Sequence, residues 1–427
     1  MNYTQNNKIR QVTEETLVVG IDIGSDLNYA RAFDWRGIEL SKRVFRFRNT
    51  REGFQSFEEW INEMSKENGK TKLIVGCEPT GHYWMPFGKF LKVHKIEMVF
   101  VNPYHVHQMK ELDDNSPKKT DIKDPKTIAR LVIDGRYCIP YIPEGIYAEL
   151  REAISSRERI RKELNATSNR IQRWLKIYFP EYLGVYKKFD SKTGMMVLRE
   201  AALPEDLIEL GAEGIVRIWR NHKVHAVGMK RAQTLIDAAH ESIGIKGGTC
   251  ARIEIGILLE DYTVKRNQLE KVTEILEHEV LKVPNAEKLL KIKGIGAVSV
   301  AGFLSEVGDV RRFTSPKQIQ KLAGLELKEN SSGKHKGKTT ISKRGRSKLR
   351  KILFQTVLPL LCSNSEFTEV YDYYRKRLVN PLKGKQAMIA VEGKLIRVFY
   401  SILKNGYIYD ADKLRKDIIR PEERKVA

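Results

Sequence analysis

At 427 residues the chain exceeds what one hydrophobic core usually serves, so two or three structural units are expected. Hydrophobic residues make up 41% and charged residues 30%, which excludes wholesale disorder; no apolar run reaches membrane-spanning length and Met1 to Arg10 is polar, so neither a membrane span nor a signal peptide is expected, and the protein is placed in the cytoplasm. The 76 basic residues outnumber the 54 acidic ones, and the resulting net charge of +22 favours a polyanionic partner, nucleic acid before an anionic membrane surface.

The first element, LVVGIDI from Leu17 to Ile23, is apolar and β-branched, ends at Gly24 and Ser25, and reads as a buried strand that Asp22 interrupts. Asn28 to Trp35 and Gly37 to Phe47 read as antiparallel hairpin strands about a turn at Arg36 and Gly37. Helical spacing follows over Phe54 to Met64, a strand over Lys72 to Glu78, a helix over Tyr83 to Val93 and a strand over Ile96 to Asn102. Hairpin strands followed by alternating helices and strands predict a mixed α/β domain. The order fits an RNase H-like domain, and a Rossmann-type or actin-like domain begins similarly.

Beyond the Pro140 to Pro143 break, Glu149 to Tyr178 is helical, with Leu150, Ile154, Leu164, Ile171 and Leu175 forming an apolar stripe. Ile253 to Leu281 carries a second stripe through Ile255, Leu259, Tyr262, Leu269, Val272 and Leu276, so the two are expected to pair as an antiparallel coiled coil. Pro180 to Gly248, between them, reads as a helical insertion at the coiled-coil tip. From Ala286 the chain turns to short helices, and Ile292 to Leu304 reads as a helix-hairpin-helix element with Gly294 and Gly296 in its turn. Such a turn presents backbone N–H groups to a phosphate, and a plain tight turn between packed helices is the equal alternative. The boundaries are 15–145 for the α/β domain, 146–283 for the coiled coil with its insertion, 284–412 for a mainly helical C-terminal domain and 413–427 for a basic tail. Cys77, Cys138, Cys250 and Cys362 form no CxxC pair, which removes zinc-ribbon and thioredoxin-like readings.

A divalent metal needs oxygen ligands from several rigid elements, and Asp22 and Glu78 stand at or near the ends of buried strands. In KTDIKDPKTIARLV, starting at Lys119, Asp121 and Asp124 are three apart and share one helical face. Singly, each acid has an ordinary reading as a turn former or helix cap. Together they predict a site for Mg2+, with Mn2+ as the alternative, and Asp26, Glu97, Asp113 and Asp114 are substitutes. Nearer the C-terminus no acidic residue occurs between Asn330 and Lys351, where Lys334, Lys336, Lys338, Lys343, Arg344, Arg346, Lys348, Arg350 and Lys351 crowd behind Ser331, Ser332 and Gly333. The run is a candidate phosphate-binding surface, against the alternative of a solvated face.

GIDIGS, CEPTGHYW, VNPYHVH and KTDIKDPKTIA resemble the DEDD-type transposases of RNA-guided insertion sequences, whose first domain is RuvC-like. The likeness continues through KIKGIGAVSVAGFLSEVGDVRRF, KLAGLELKENSSGKHKGKTTISKRGRSKLR and GKQAMIAVEGKLIRVFYSILKNG. It implies a RuvC-like domain, a coiled coil and a transposase domain in that order, and a bacterial or archaeal, DNA-associated protein. It also implies Asp22, Glu78, Asp121 and Asp124 as the metal-binding quartet and a serine before glycine, matched by Ser332 with Ser331 as fallback, as the nucleophile that bonds to DNA. The family often has a second glycine after that pair, where Lys334 stands here. Donor and target DNA, a structured bridge RNA and a homo-oligomer, dimer or tetramer, are the implied partners. Two competing readings are a metal-dependent nuclease or junction resolvase with a merely structural Ser332, and a non-catalytic architectural nucleic-acid-binding protein. An actin-like ATPase fits only GIDIGS.

Overall fold

The computed structural model describes residues 5–79, 81–113, 123–328, 331–332, 335–336, 339–416 and 418, with the side chains of 111–113, 331–332 and 335–336 left aside. The chain divides into two compact units, Met1–Ile142 and Pro143–Ala427.

In the first unit α1 (Gln5–Ile9) leads into β1 (Thr16–Ile23), β2 (Leu27–Phe33), β3 (Phe45–Arg48), α2 (Arg51–Glu67), β4 (Lys72–Cys77), α3 (Trp84–Val93), β5 (Glu97–Val101), α4 (Pro103–Asp113), α5 (Asp124–Ile133) and β6 (Tyr137–Cys138). One six-stranded sheet runs β3-β2-β1-β4-β5-β6. β1 is parallel to β4, and β4 to β5, while the β1/β2, β2/β3 and β5/β6 pairs are antiparallel. The near-continuous burial of β1 follows from its two covered faces. Leu17, Val19, Ile21 and Ile23 meet Phe54 and Phe57 of α2 and Phe87 of α3, whereas Val18 and Ile74 meet Ile128, Ala129 and Val132 of α5. α2 starts where Thr50 caps it, its hydroxyl accepting from the Gly53 N–H at 3.1 Å.

The structure differs from the sequence expectation at two points. The strand expected over Gly37 to Phe47 shortens to β3, preceded by an isolated bridge between Phe33 and Glu39, because Gly37 takes a left-handed φ of 85° that breaks the pleat. The stretch after Asn102, to which the sequence assigned no element, is helical: Pro103 opens α4, as a residue without an N–H can at a first helical turn.

The second unit hangs on two 33-residue helices, α6 (Ile146–Tyr178) and, later in the chain, Thr249–Leu281. Between them lie α7 (Tyr182–Val185), α8 (Lys192–Glu200), α9 (Pro204–Asn221) and α10 (Met229–His240), which makes the second long helix α11. The pair is antiparallel. Arg157 Nε donates to Thr273 Oγ1 at 3.1 Å, Lys265 meets Glu163 at 2.6 Å, and Trp174 Nε1 donates to the Ala251 carbonyl at 3.1 Å. One end of the pair packs with α7 to α10 around Trp174, Phe179, Tyr182 and Trp219. The other is embedded, through Leu150, Ile154, Leu276 and Val280, in a second core shared by the remaining elements. Those are α12 (Ala286–Leu290), α13 (Ala297–Val307), α14 (Pro316–Ala323), the short strands β7 (Leu327–Lys328), β8 (Ser331–Ser332), β9 (His335–Lys336) and β10 (Thr340–Ile341), then α15 (Ser347–Ser363), α16 (Ser365–Lys376), α17 (Gly384–Asn405) and α18 (Ala411–Lys416). No described helix is long and apolar enough to cross a membrane.

Gly20 and Gly76 are register partners on β1 and β4, and both face α5. A Cβ on Gly20 would stand 1.9 Å from the Pro125 carbonyl oxygen; one on Gly76 would stand 2.5 Å from Val132 Cγ2. The first obstacle is backbone and the second a side-chain methyl, so the costs differ. Gly20→Ala is expected to cost about 3 kcal/mol and Gly76→Ala about 1 kcal/mol in urea unfolding of the full chain. Equal, negligible costs would mean that α5 is not seated as described.

Candidate functional site

Alternation along β1 places Asp22 on the same face as Val18 and Gly20, the face that α5 covers. Glu78 directly follows β4, two residues beyond Gly76, and continues that alternation in the neighbouring strand. α5 runs back over the sheet from this edge: its last residue, Ile133, comes within 3.8 Å of the Cβ direction at Gly37, beside the far end of β1. Its first residue, Asp124, therefore stands at the edge where β1 and β4 end. Three carboxylates on three elements share one face and one edge of the sheet, the carboxyl edge of parallel strands at which α/β folds generally bind ligands.

Asp124 and Lys110 of α4 form an ion pair at 2.5 Å, and both side chains are half-buried. Asp22 and Glu78 also have interaction partners. Among the described residues, no three His, Cys, Asp or Glu side chains close into a group that could hold a metal ion. Asp121 and Lys119 lie outside the described residues, as does the substitute Asp114, while Asp113 is described only as the last residue of α4. α5 begins at Asp124, so the helical face on which Asp121 and Asp124 were expected together starts only at the second of them. Of the other substitutes, Glu97 opens β5 at the opposite edge and Asp26 is exposed in the β1/β2 turn. Cys77 points into the other core, and burial pushes its thiol far above the usual range, so it offers no thiolate to this edge.

The serine segment is a stepped hairpin. At its foot Leu327 pairs with Ile341 and Lys328 with Thr340; further out Ser331 pairs with Lys336 and Ser332 with His335. Ser332 is thus the last paired residue of its strand, with two residues between it and its partner. Gly333, Lys334 and Lys338 lie outside the described residues, and Lys336 is described only as a strand position. The other cations of the run divide in two. Lys343, Arg344 and Lys348 are exposed. Arg346 and Arg350 hold the foot of the hairpin, donating to the Glu306 and Ala323 carbonyls. Lys348 and Lys351 flank Glu158 at 3.9 and 3.2 Å.

The two glycines of the α12/α13 turn also differ. Gly294 has φ 93°, and a Cβ there would stand 2.9 Å from Leu360 Cα and 2.4 Å from Ser363 Oγ, so packing against α15 accounts for it. Gly296 is the N-cap of α13, has open space at its Cβ position and no side-chain cap, so it is the one of the two that a phosphate could approach.

Glu392 was not singled out from sequence. It lies on α17, 1% exposed, with Oε2 lacking a hydrogen-bond partner, on the floor of a cleft of about 480 Å3 shared with Leu325, Ile341 and Phe354 at the hairpin foot. Burial pushes its carboxyl up to about 7, against the opposing charge of Arg350. The available signal was an acid beside Val391, Leu395 and Ile396, which form the buried stripe of α17. Because the folded value lies above the ordinary one, the fold favours the neutral acid. Its contribution is full below about 4.5 and is lost as pH rises through about 7. Glu392→Gln should therefore match the parent in stability near pH 4 and exceed it by on the order of 3 kcal/mol at pH 8. A pH-independent difference in denaturation midpoints would contradict this.

Comparison with known proteins matches two stretches of the chain. Residues 19–180 match the IS110-type DEDD family described as transposase, and residues 286–372 match the transposase IS116/IS110/IS902 family. The insertion element IS900 uncharacterized 42 kDa protein of Mycobacterium paratuberculosis is 22% identical over 51% of this chain and 54% of its own length. The transposase for insertion sequence element IS1111A of Coxiella burnetii is 26% identical over 35% of this chain and 42% of its own. The chain thus spans about half or less of these two relatives. The pilin gene-inverting protein of Moraxella bovis is 22% identical over 88% of this chain and 97% of its own length.

Proposed function

We propose that this chain, which carries the domains of IS110-type DEDD transposases, is a recombinase of a mobile insertion sequence that cuts and rejoins DNA through a carboxylate-held metal and a serine nucleophile. The observation that carries the reading is the seating of α5 on Gly20 and Gly76, which brings Asp124 to the edge occupied by Asp22 and Glu78. We read the sheet as RNase H-like, or RuvC-like, on the strength of its β3-β2-β1-β4-β5 order with β2 antiparallel to β1.

The donor set fits a hard divalent cation: carboxylates from two strand ends and a helix start, with Asp121 as the fourth, and no thiolate among them. Bound there, Mg2+ or Mn2+ would supply Lewis-acid polarisation of a phosphate oxygen. Asp22 and Glu78 hold position because their strands are buried on both faces, and Asp124 because its helix cannot slide off the glycine pair. Lys110 neutralises Asp124 until a cation competes for it.

Ser332 attacks the scissile phosphorus. The Oγ–P bond forms as the bond from phosphorus to a deoxyribose oxygen breaks, the serine proton is released, and the departing oxygen takes one up. The product is a phosphodiester to serine, of similar energy to the bond broken, so a second deoxyribose hydroxyl can reverse the step and rejoin DNA. The exposed Lys343, Arg344 and Lys348 steer the anionic backbone, with Lys334, Lys336 and Lys338 on the same segment. A structured bridge RNA that pairs with donor and target DNA is the second polyanion, in keeping with the net charge of +22. The name of the Moraxella protein, a gene-inverting one, is in line with recombination as the outcome.

Oligomerisation falls to α11, as the outer seam of a coiled coil. Ile253, Ile257, Val264 and Ile275 are 56%, 56%, 45% and 52% exposed and lie within a narrow stripe opposite the buried Ile255, Leu258, Tyr262 and Leu276. A helix apolar on two sides has room for a second copy on the free one.

Strand exchange assayed with matched RNA, both DNA sites and magnesium should fall at least about 1,000-fold in Ser332→Ala, together with the denaturant-resistant protein–DNA adduct. Exchange that survives with Ser332→Ala would leave a metal-dependent nuclease or resolvase. Asp22→Asn and Glu78→Gln should lose cleavage while keeping DNA affinity within about three-fold; cleavage unchanged in both would remove these carboxylates from the chemistry, and DNA binding without cleavage in parent and variants alike would leave an architectural binding protein. Light scattering should give a monomer mass for Ile257→Glu/Val264→Glu, whereas an unchanged oligomer would remove α11 from the interface.

A further inference from the structure

A second basic feature lies apart from the serine segment. A cleft of about 660 Å3 opens between α6, α13 and α15. Arg157, Arg161 and Lys162 enter it from α6 and Lys351 from α15, while Ile154, Val298 and Ile352 line it with apolar surface. The single carboxylate in its lining is Glu158, which is engaged by Lys351 and Lys348. Among the described residues Arg161 and Lys162 have no ion-pair partner, and both are exposed.

Arg157 is half-buried, its Nε committed to Thr273. Its hold on the proton is weakened first by burial and then by the charge of Arg161, opposed by Glu158. A half-buried guanidinium beside a second cation is an unfavourable arrangement that an entering anion relieves. The first turn of α13, an 11-residue helix without a side-chain cap, contributes Val298 and Ser299 to the same cleft and adds its partial positive charge. Cations on two walls, the start of a helix on the third and apolar surface between them suit a chain of phosphates with sugars between them. A single small anion would leave most of the volume empty.

We propose that this cleft binds the phosphodiester backbone of a nucleic-acid strand, at a site separate from the cations of the serine segment. The inference rests on the reading of the chain as a nucleic-acid enzyme. DNA and RNA offer the same backbone charge, and the experiment has an arm for each.

The test compares the full chain with Arg161→Glu/Lys162→Glu, and with the milder Arg161→Gln/Lys162→Gln, on a DNA duplex and on a structured RNA, at several salt concentrations. Lys343→Glu/Arg344→Glu serves as the reference for the serine segment. Circular dichroism melting monitors folding; because Arg161 and Lys162 are exposed, the melts should coincide. The cleft variants should lose at least about ten-fold in affinity for DNA, RNA or both, and the slope of log K against log salt should fall by about two. The arm that loses affinity identifies the strand. Unchanged affinity and slope on both nucleic acids, with the reference variant weakened, would overturn the cleft proposal alone. If neither pair of substitutions weakens binding, the nucleic-acid reading fails and the cleft proposal with it.

Discussion

The contact on which the first unit depends is backbone against backbone: the carbonyl of Pro125 lies where a Gly20 side chain would be, and Gly76 in the next strand receives Val132. Helices normally ride on a sheet at a distance set by interposed side chains. Two glycines in register remove that spacing over β1 and β4 and fix α5 laterally. Asp22 and Glu78 are each two residues further along the same strands, and Asp124 begins the helix so fixed. A packing device in the core thereby sets the position of three polar groups at the edge. The ion pair to Lys110 then shields the one carboxylate that belongs to a helix start rather than a strand end.

The second unit applies a different device. α6 and α11 each cross two hydrophobic cores, one around Trp174 and Trp219 and one around Phe303, Phe367 and Phe399, and between those cores the pair is held by Arg157–Thr273 and Glu163–Lys265. The polar middle contributes little, because one part-exposed ion pair and one hydrogen bond to a hydroxyl are each weak. It leaves the outer surfaces available, so the same two helices carry an apolar stripe on α11 and a cationic wall on α6 without competing demands on one face.

Much of this was legible in the sequence, and the parts that were not share a physical cause. β1 was evident from its short apolar run rich in β-branched residues, and the two long helices from stripes such as Leu150, Ile154 and Ile171. The expected ends of α6 and α11 fall within a few residues of those observed. Asp22 and Glu78 could be nominated because an acid at the end of an apolar run demands an explanation, and Asp124 because its spacing from Asp121 suits one helical face. The roles of Gly20 and Gly76 could not, since a glycine in a strand says nothing of what lies against it. Gly294 and Gly296 looked equivalent in sequence and differ only in what α15 places beside them. Arg346 and Arg350 read as phosphate ligands in a basic run, yet they donate to carbonyls that only the folded chain brings near. Glu392 was missed because its burial comes from α15 and the hairpin foot, distant in sequence from α17.

The central proposal, that Asp22, Glu78 and Asp124 at one sheet edge hold a divalent cation together, is tested most directly by titrating Mn2+ into the full chain and following the free ion by electron paramagnetic resonance. Saturable binding in the parent, strongly weakened in each of Asp22→Asn, Glu78→Gln and Asp124→Asn while the thermal melt stays cooperative, is the result that the proposal predicts. Binding of equal affinity and stoichiometry in the parent and all three variants would contradict it, and the carboxylates would then be ordinary polar ends of strands and a helix.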